Sequence, residues 1–136
     1  MKKIFLILIL IPFVIQSQVK HPLTVEDLWA MKRVGSFDLS PDGKTIAFAV
    51  TEYDMDENKG NTDIYTVNSD GSDLHSLKNS EKNESDPKFS PDGKKIAFIR
   101  DGKIWTCNYD GSDDELIADI STGASGIVWS ADGKKI

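Results

Sequence analysis

The sequence lacks several features that would assign it to common functional classes. Cys107 is the only cysteine, so no internal disulfide can form, and its place in an apolar segment favours a small core residue over a nucleophile. Acidic residues outnumber basic ones by 22 to 16, and no basic stripe interrupts them. Such a chain lacks the electrostatic footprint of nucleic-acid binding, and its acidity mainly favours solubility. No nucleic-acid partner, bound metal or cofactor is expected.

Long hydrophobic runs are also missing, apart from one near the N-terminus. Lys2 and Lys3 precede an apolar stretch, residues 4–15. About a dozen apolar residues are too few for the roughly 20 that span a bilayer, and they suit the core of a signal peptide. We predict a signal peptide over residues 1–18, cleaved near Ser17, and therefore an exported chain, periplasmic or secreted, with no stable membrane span. An uncleaved anchor is the alternative, whereas a lipoprotein would need a cysteine at the cleavage point.

The chain does contain a motif that recurs. Ser-Pro-Asp-Gly-Lys, or its variant Ser-Ala-Asp-Gly-Lys, followed by the start of an apolar strand, occurs in residues 40–48, 90–98 and 130–136. The motif aspartates Asp42, Asp92 and Asp132 are spaced by 50 and 40 positions, close to the period of about 40 to 45 residues of a four-stranded propeller blade. A second motif, Asp-Gly-Ser-Asp, repeats at an offset of 40 in residues 70–73 and 110–113.

A fixed-period repeat of turn and strand indicates an all-β architecture that buries its core by stacking copies. We predict an incomplete, TolB-like β-propeller over residues 35–136, with two four-stranded blades and the start of a third. An N-terminal segment with a short helix, residues 19–34, precedes it. Because a closed propeller needs roughly four to eight blades, the chain is expected to be a truncated piece of a longer protein. Expressed alone, it would leave strand edges unpaired and aggregate or stay partly unfolded.

The sequence after each turn predicts the strands of a blade. Residues 96–99 are apolar without alternation, which favours a central strand buried on both faces. Asp101 and Gly102 then separate two strand segments, which is the strongest short hairpin signal, and residues 103–107 return antiparallel. In the first blade a polar loop, residues 52–61, replaces that turn and explains the longer repeat spacing.

The segment before the first blade predicts a short helix over residues 23–31. Thr24 is a suitable N-cap, and Asp27 lies where a carboxylate favours the helix N-terminus. Trp29 is expected to anchor the segment to the rest of the molecule, because an isolated helix under about 12 residues is marginal in water.

Several groups of residues suggest sites, but a structural role explains each of them. Residues 54–65 offer oxygen ligands like a calcium loop, yet Lys59 stands where the sharp turn needs glycine and Tyr65 where a bidentate glutamate is needed. A solvated hairpin insertion is therefore favoured over weak calcium binding. The three motif aspartates could form a ring of carboxylates, but turn chemistry accounts for them. Trp105 and Trp129 could form an aromatic cage, although packing between blades is favoured.

Residues 24–34, followed closely by the turn at 39–44, resemble the N-terminal region of the prolyl oligopeptidase family of serine peptidases, especially exported acylaminoacyl-peptidase-like and dipeptidyl-peptidase-like members. The polar insertion that ends in residues 58–61 and the strand start at 63–65 are similar as well. The resemblance implies a propeller that caps an α/β-hydrolase domain and admits only short or unfolded peptides. In that family a serine in a Gly-x-Ser-x-Gly elbow attacks the peptide carbonyl.

None of that catalytic machinery occurs in this chain. Residues 123–126 do not form the elbow, because the second glycine comes one residue early. His21 and His75 are expected in solvated loops, without the fixed serine and acid that a triad histidine needs. No pair of adjacent glutamates, which dipeptidyl peptidases of this family use to hold the substrate amine, is present. No catalytic, cofactor-binding or metal-binding residue is therefore assigned.

The resemblance predicts the non-catalytic propeller start of an exported serine peptidase that hydrolyses short peptides. Its expected partners are the α/β-hydrolase domain of the same protein and the peptide substrate. The alternative is a periplasmic propeller like TolB, which shares the turn motif and binds proteins without catalysis. The helix and the insertion in the first blade favour the peptidase. A repeat scaffold of unknown ligand is the third interpretation.

Overall fold

The computed structural model describes residues 21–136, so the predicted signal peptide, residues 1–18, lies outside the described part. One helix, α1, spans Val25–Ala30. Eight strands follow it: β1 Arg33–Leu39, β2 Thr45–Asp54, β3 Lys59–Asn68, β4 His75–Lys78, β5 Glu84–Phe89, β6 Lys95–Arg100, β7 Lys103–Asn108 and β8 Glu115–Ala118. No helix in the described range is long and apolar enough to cross a membrane.

The strands form two antiparallel four-stranded sheets, with the orders β1-β2-β3-β4 and β5-β6-β7-β8. Each sheet is one blade, and we name them blade 1 and blade 2. Within residues 21–136 the blades do not close into a ring. The predicted incomplete propeller with a short preceding helix is therefore confirmed.

The central strand of blade 2 is buried as its composition predicts. Residues 96–99 of β6 are all buried between blade 1 on one side and the third repeat on the other. The hairpin to β7 is also confirmed, since Arg100 pairs with Lys103 across two residues. Asp101 and Gly102 have φ angles of 51° and 73°, and positive φ at both positions defines the type I′ turn.

The polar segment at residues 52–61 is not the loop predicted from its composition. The pairing of β2 with β3 continues through it to Asp54 and Lys59, so the turn proper is residues 55–58. Strands need their backbone groups paired but do not need apolar side chains on both faces, and this extension lies beyond the buried part of the sheet. The insertion is therefore a longer hairpin that projects from blade 1.

Helix α1 is shorter than predicted but begins at the expected cap. The Thr24 hydroxyl accepts a hydrogen bond from Asp27 N at 3.2 Å, and Asp27 Oδ2 accepts one from Thr24 N at 2.8 Å. This is a reciprocal capping box. Trp29 anchors the helix as predicted, because its ring meets Tyr53 of the hairpin edge to face at 5.4 Å.

Two apolar clusters hold the repeats together. The larger one lies between the blades and joins Ala47, Ile64 and Leu77 of blade 1 to residues of β5, β6 and β7. The second joins the far side of blade 2 to Ile127 and Trp129 of the third repeat. The third repeat forms its turn but contributes no strand among the described residues.

Candidate functional site

The repeated turn is held by the side chains of its own motif. In the first copy Ser40 Oγ donates a hydrogen bond to Asp42 Oδ1 at 2.6 Å, and Lys44 N donates to the same oxygen at 3.1 Å. Gly43 N donates to Ser40 O at 2.8 Å with φ of 72°. The second and third copies repeat these bonds.

The three motif aspartates are consequently structural. The hydrogen bond from the preceding serine, and then the backbone N–H two residues on, lower the pKa of Asp42, Asp92 and Asp132. Each carboxylate is exposed and directed into its own turn. Among residues 21–136, no group of three or more acidic, histidine or cysteine side chains is placed to hold a metal ion.

Polar contacts across the blade interface recur with the repeat. Ser36 Oγ accepts a hydrogen bond from Asp86 N at 3.0 Å, and Asp38 Oδ2 accepts one from Phe89 N at 2.9 Å. One step further along the chain, Asp86 Oδ2 accepts from Ile127 N at 2.9 Å. Asp86 has φ of 52° and lies where the pairing of β5 shifts. This irregularity turns its N–H toward blade 1 and its carboxylate toward the third repeat.

A charged network closes the outer part of the same interface. Arg100 donates to Glu84 Oε1 at 2.9 Å and to Asp114 Oδ2 at 2.8 Å. Lys78 of blade 1 pairs with the other oxygen of Asp114. Burial alone would raise the pKa of Asp114, but hydrogen bonds from Lys78 and Arg100 outweigh burial and hold that pKa below its ordinary value.

Sequence reasoning missed this network, which joins Lys78 of blade 1 to Asp114 of blade 2. Glu84 is fully buried and Lys78 nearly so, and the guanidinium of Arg100 lies 5.1 Å from the rings of both Phe98 and Trp105. The only sequence signal is an arginine directly after the apolar run of residues 96–99. A charge in that position needs a partner, but the strand order decides which one.

The hairpin of β2 and β3 and helix α1 form a projecting arm at the edge of blade 1. The guanidinium carbon of Arg33 lies 4.4 Å above the Tyr53 ring, and Lys32 pairs with Glu52. At the tip, Asp54 Oδ1 accepts hydrogen bonds from the backbone N–H groups of Asp56 and Glu57. The Asp54 carboxylate, the first of the calcium-like segment, is thus engaged in its own turn.

The histidines do not form a catalytic pair. His21 is exposed before α1, where its ring contacts Pro22 O. His75 begins β4 and so lies in a strand, not in the predicted loop. Its Nε2 is 3.0 Å from Thr66 Oγ1, and Asp73 O is 3.0 Å from its other ring nitrogen. Thr66 is only 3 % exposed inside the blade interface, so this hydroxyl is closed to a substrate.

Cys107 and the two tryptophans are packing residues, as predicted. Cys107 is buried, and desolvation raises the pKa of its thiol to about 11. Trp105 packs against the cluster between the blades. Trp129 packs on the far side of blade 2, and its indole N–H donates to Lys88 O at 3.0 Å.

Comparison with protein families agrees with this architecture. The family described as the dipeptidyl peptidase IV (DPP IV) N-terminal region matches residues 40–136, which is well over half of the chain. The chain belongs to this family. The match begins at the first repeated turn and continues through blade 2 into the third repeat.

Curated relatives of this DPP IV N-terminal region are peptidases. Dipeptidyl-peptidase 5 of Porphyromonas gingivalis is 43 % identical over 77 residues, which cover 57 % of this chain and 11 % of that protein. Dipeptidyl-peptidase 5 of Porphyromonas endodontalis is 36 % identical over 84 residues, covering 62 % of this chain and 12 % of that protein. The chain therefore spans only a small part of the relatives that it matches.

Solved structures support the fold. Acylaminoacyl peptidase of Pyrococcus horikoshii superposes with a TM-score of 0.65 at 21 % identity, covering 78 % of this chain and 17 % of that one. The β-propeller domain of the Trilobed protease from Pyrococcus furiosus gives 0.60 at 22 % identity, covering 75 % and 32 %. TolB from Acinetobacter baumannii gives 0.58 at 25 % identity, covering 74 % and 25 %. The DPP IV N-terminal region thus shares its blades with peptidases and with TolB.

Proposed function

We propose that this chain supplies the opening blades of the propeller of an exported serine peptidase that hydrolyses short peptides. The observation that carries the proposal is the family match over residues 40–136, supported by the 43 % identity to a dipeptidyl-peptidase 5. The propeller would restrict access to an α/β-hydrolase domain of the same protein. The blades contribute shape and rigidity, and the nucleophile belongs to that second domain.

The test begins with the gene that encodes the chain. We expect its reading frame past Ile136 to continue through further blades into a Gly-x-Ser-x-Gly elbow, with an aspartate and then a histidine downstream. The whole protein should release 4-nitroaniline from dipeptidyl substrates, and the serine-to-alanine variant of the elbow should not. A frame that completes the blades without an elbow would overturn the enzyme assignment.

Restriction of access has its own test in the same protein. A series of peptides with one cleavable bond and increasing length should show kcat/KM falling steeply beyond the length that the propeller admits. A catalytic domain with an open site would instead cleave long and short peptides with similar kcat/KM. That result would leave the peptidase assignment intact and reject the role of the propeller as a filter.

Export is proposed from the sequence of residues 1–18. N-terminal sequencing of the protein recovered from the periplasm or medium of the source organism should begin close to Gln18. Recovery of a chain that still begins at Met1 in the membrane fraction would support an uncleaved anchor instead.

A TolB-like binding module is the second candidate, because TolB from Acinetobacter baumannii is 25 % identical with a TM-score of 0.58. In that case the blades would bind a protein partner and the whole protein would hydrolyse no peptide. The reading frame decides between the two, since a binding propeller ends without the nucleophile elbow.

A further inference from the structure

The contact between blade 1 (β1–β4) and blade 2 (β5–β8), which we call the seam, is tied together at the first strand of each blade. Strand β5 lies against β1, β2 and β3. Asp86 N donates a hydrogen bond to Ser36 Oγ at 3.0 Å, and Phe89 N donates one to Asp38 Oδ2 at 2.9 Å. Lys88 Nζ lies 3.6 Å from the other oxygen of Asp38. Three polar contacts therefore hold this side of the seam.

The middle of the seam is packed and shielded from solvent. Five of its side chains are at most 1 % exposed: Ala47 and Ile64 of blade 1, and Ile96, Phe98 and Cys107 of blade 2. Protein interiors of this kind are packed as densely as organic crystals. A peptide between the blades would form an extra layer, and stacked sheets lie about 10 Å apart, so the blades would have to separate by a comparable distance to admit it.

Polar contacts also hold the outer side of the seam. Lys78 of blade 1 pairs with Asp114 of blade 2 and donates a hydrogen bond to Gly111 O. The hydroxyls of Thr45 and Tyr109 meet across the seam at 2.7 Å, next to the repeated turns. Lys78 and Thr45 are buried, and hydrogen bonds that are shielded from water are stronger than those on the surface.

The connection from β4 to β5 closes the end of the seam that is nearest to the projecting arm. Ser80 Oγ donates a hydrogen bond to Glu84 Oε1 at 2.6 Å, and Asn83 Oδ1 accepts one from Thr62 N at 2.9 Å. The connection is thus bonded to both blades. The seam is consequently held at its first strands, in its middle, at its outer side and at this end.

We propose, on the basis of the peptidase function proposed above, that the seam stays closed while the whole protein turns over substrate. Peptides then reach the catalytic domain by a path that does not cross between blades 1 and 2. A gate at this position would have to break the bonds of Asp86, Phe89 and Lys78 and expose the apolar middle in every catalytic cycle. Blades 1 and 2 therefore move as one unit, and another part of the protein sets the length limit on substrates.

Cys107 reports any opening of the seam, because its thiol lies in the packed middle and is 1 % exposed. The test treats the whole protein with N-ethylmaleimide, once alone and once during turnover of a short peptide at saturating concentration. Mass spectrometry of the fragment that contains Cys107 separates its labelling from that of any other thiol. We expect equally slow labelling under both conditions, slower than in 8 M urea by at least a factor of about 100, because the thiol is buried. Labelling that accelerates during turnover would overturn the proposal.

A variant that weakens the seam gives the second test. Asp114→Asn removes the charge that pairs with Lys78 and should make Cys107 label on the order of tenfold faster, because local opening sets the labelling rate. The dependence of kcat/KM on peptide length should nevertheless remain that of the wild type, because peptides do not pass through the seam. Asp119→Asn is the matched control, since it makes the same change in an exposed pair with Lys103 and should alter neither measurement.

The failure of this proposal differs from the failure of the proposed function. A length limit that moves to longer peptides in Asp114→Asn but not in Asp119→Asn would show that peptides cross the seam. A whole protein that cleaves peptides while Cys107 labels rapidly would reject the closed seam alone. A whole protein that cleaves no peptide would reject the peptidase function.

Discussion

Glycines at matching turn positions differ in what surrounds them. Gly71 and Gly111 close the same repeated turn and have φ angles of 86° and 84°. A Cβ atom at Gly71 would meet nothing within 4 Å, whereas one at Gly111 would lie 2.8 Å from Leu77 O of the neighbouring blade. Glycine is required at position 71 because of its left-handed backbone conformation. At position 111 it is required for the same reason and also because blade 1 approaches closely.

These two positions give a matched pair of substitutions. Gly71→Ala should lower the free energy of unfolding by about 1 to 2 kcal/mol through left-handed strain alone. Gly111→Ala adds a backbone clash, which is expected to cost a further 1 to 3 kcal/mol, roughly the range for overpacking. Urea unfolding monitored by tryptophan fluorescence measures both. Equal decreases in the free energy of unfolding would show that the backbone at Leu77 moves away from the added methyl group without an energetic cost.

The thiol of Cys107 should be inert in the folded protein. Burial raises its pKa to about 11, so almost no thiolate is present at pH 8, and the side chain is closed to reagents. We expect Ellman's reagent to label the native chain far more slowly than the chain in 8 M urea, by at least a factor of about 100, given the burial and the raised pKa. Fast labelling under native conditions would mean that the interface between the blades opens readily.

At the scale of elements, α1 depends on its cap because none of its six residues is buried. Thr24→Ala removes the acceptor of the Asp27 N–H and should destabilise the helix by about 1 kcal/mol. Hydrogen exchange of residues 25–30 should become faster, while exchange in β2 and β6 stays unchanged. Thr24→Ser keeps the hydroxyl and is the control. If both variants exchange alike, packing of Trp29 holds the helix and the cap does not.

The hairpin of β2 and β3 shows where sequence reasoning at this scale was incomplete. Its polar composition suggested a loop, but Tyr53 sits between Trp29 and the guanidinium of Arg33. The contact with α1 gives the extended strands an apolar anchor outside the blade. Composition alone did not reveal it, because Trp29 and Arg33 lie 24 and 20 positions before Tyr53 in the sequence.

At the scale of the whole molecule, the charged network makes the stability of the interface depend on pH. The folded pKa of Asp114 lies below its ordinary value of 3.8. The stabilisation that the ionised Asp114 contributes is therefore complete at pH values above 3.8. It is lost as the pH falls through the lower pKa of the folded state. Asp114→Asn should lower the free energy of unfolding at pH 7 by on the order of 2 kcal/mol. The difference from wild type should shrink toward pH 2.

The control for this prediction is an exposed pair in the same blade. Lys103 Nζ and Asp119 Oδ2 are 2.7 Å apart but both side chains are well exposed, so Asp119→Asn should cost less than about 1 kcal/mol. Urea titrations at pH 7 and pH 2.5 compare the two variants. If Asp114→Asn lowers the free energy of unfolding by the same amount at both pH values, the effect comes from the changed shape of the side chain and not from its lost charge.

The repeat predicts the fold from the sequence alone. Two motifs at one period specify turns, central strands and an order of antiparallel neighbours, because each is a local property of a few residues. The predicted absence of a nucleophile elbow rested on the same kind of local pattern. The network of Lys78, Glu84, Arg100 and Asp114 could not be predicted in this way, because its members lie on three different strands and in the turn before β8.

The sequence by itself determined the repeated turns, the N-cap at Thr24 and the hairpin at Asp101 and Gly102, since each depends on a few neighbouring residues, and the fixed period of the repeat implied that blades stack. Only the tertiary structure decided which charges pair across the blades, where Asp86 directs its N–H and its carboxylate, and which of two equivalent sheet faces is covered. Those features depend on what the next repeat presents. Phe37 and Leu39 are exposed while Pro87 and Phe89 are buried, because blade 2 has a preceding blade and blade 1 has none among the described residues.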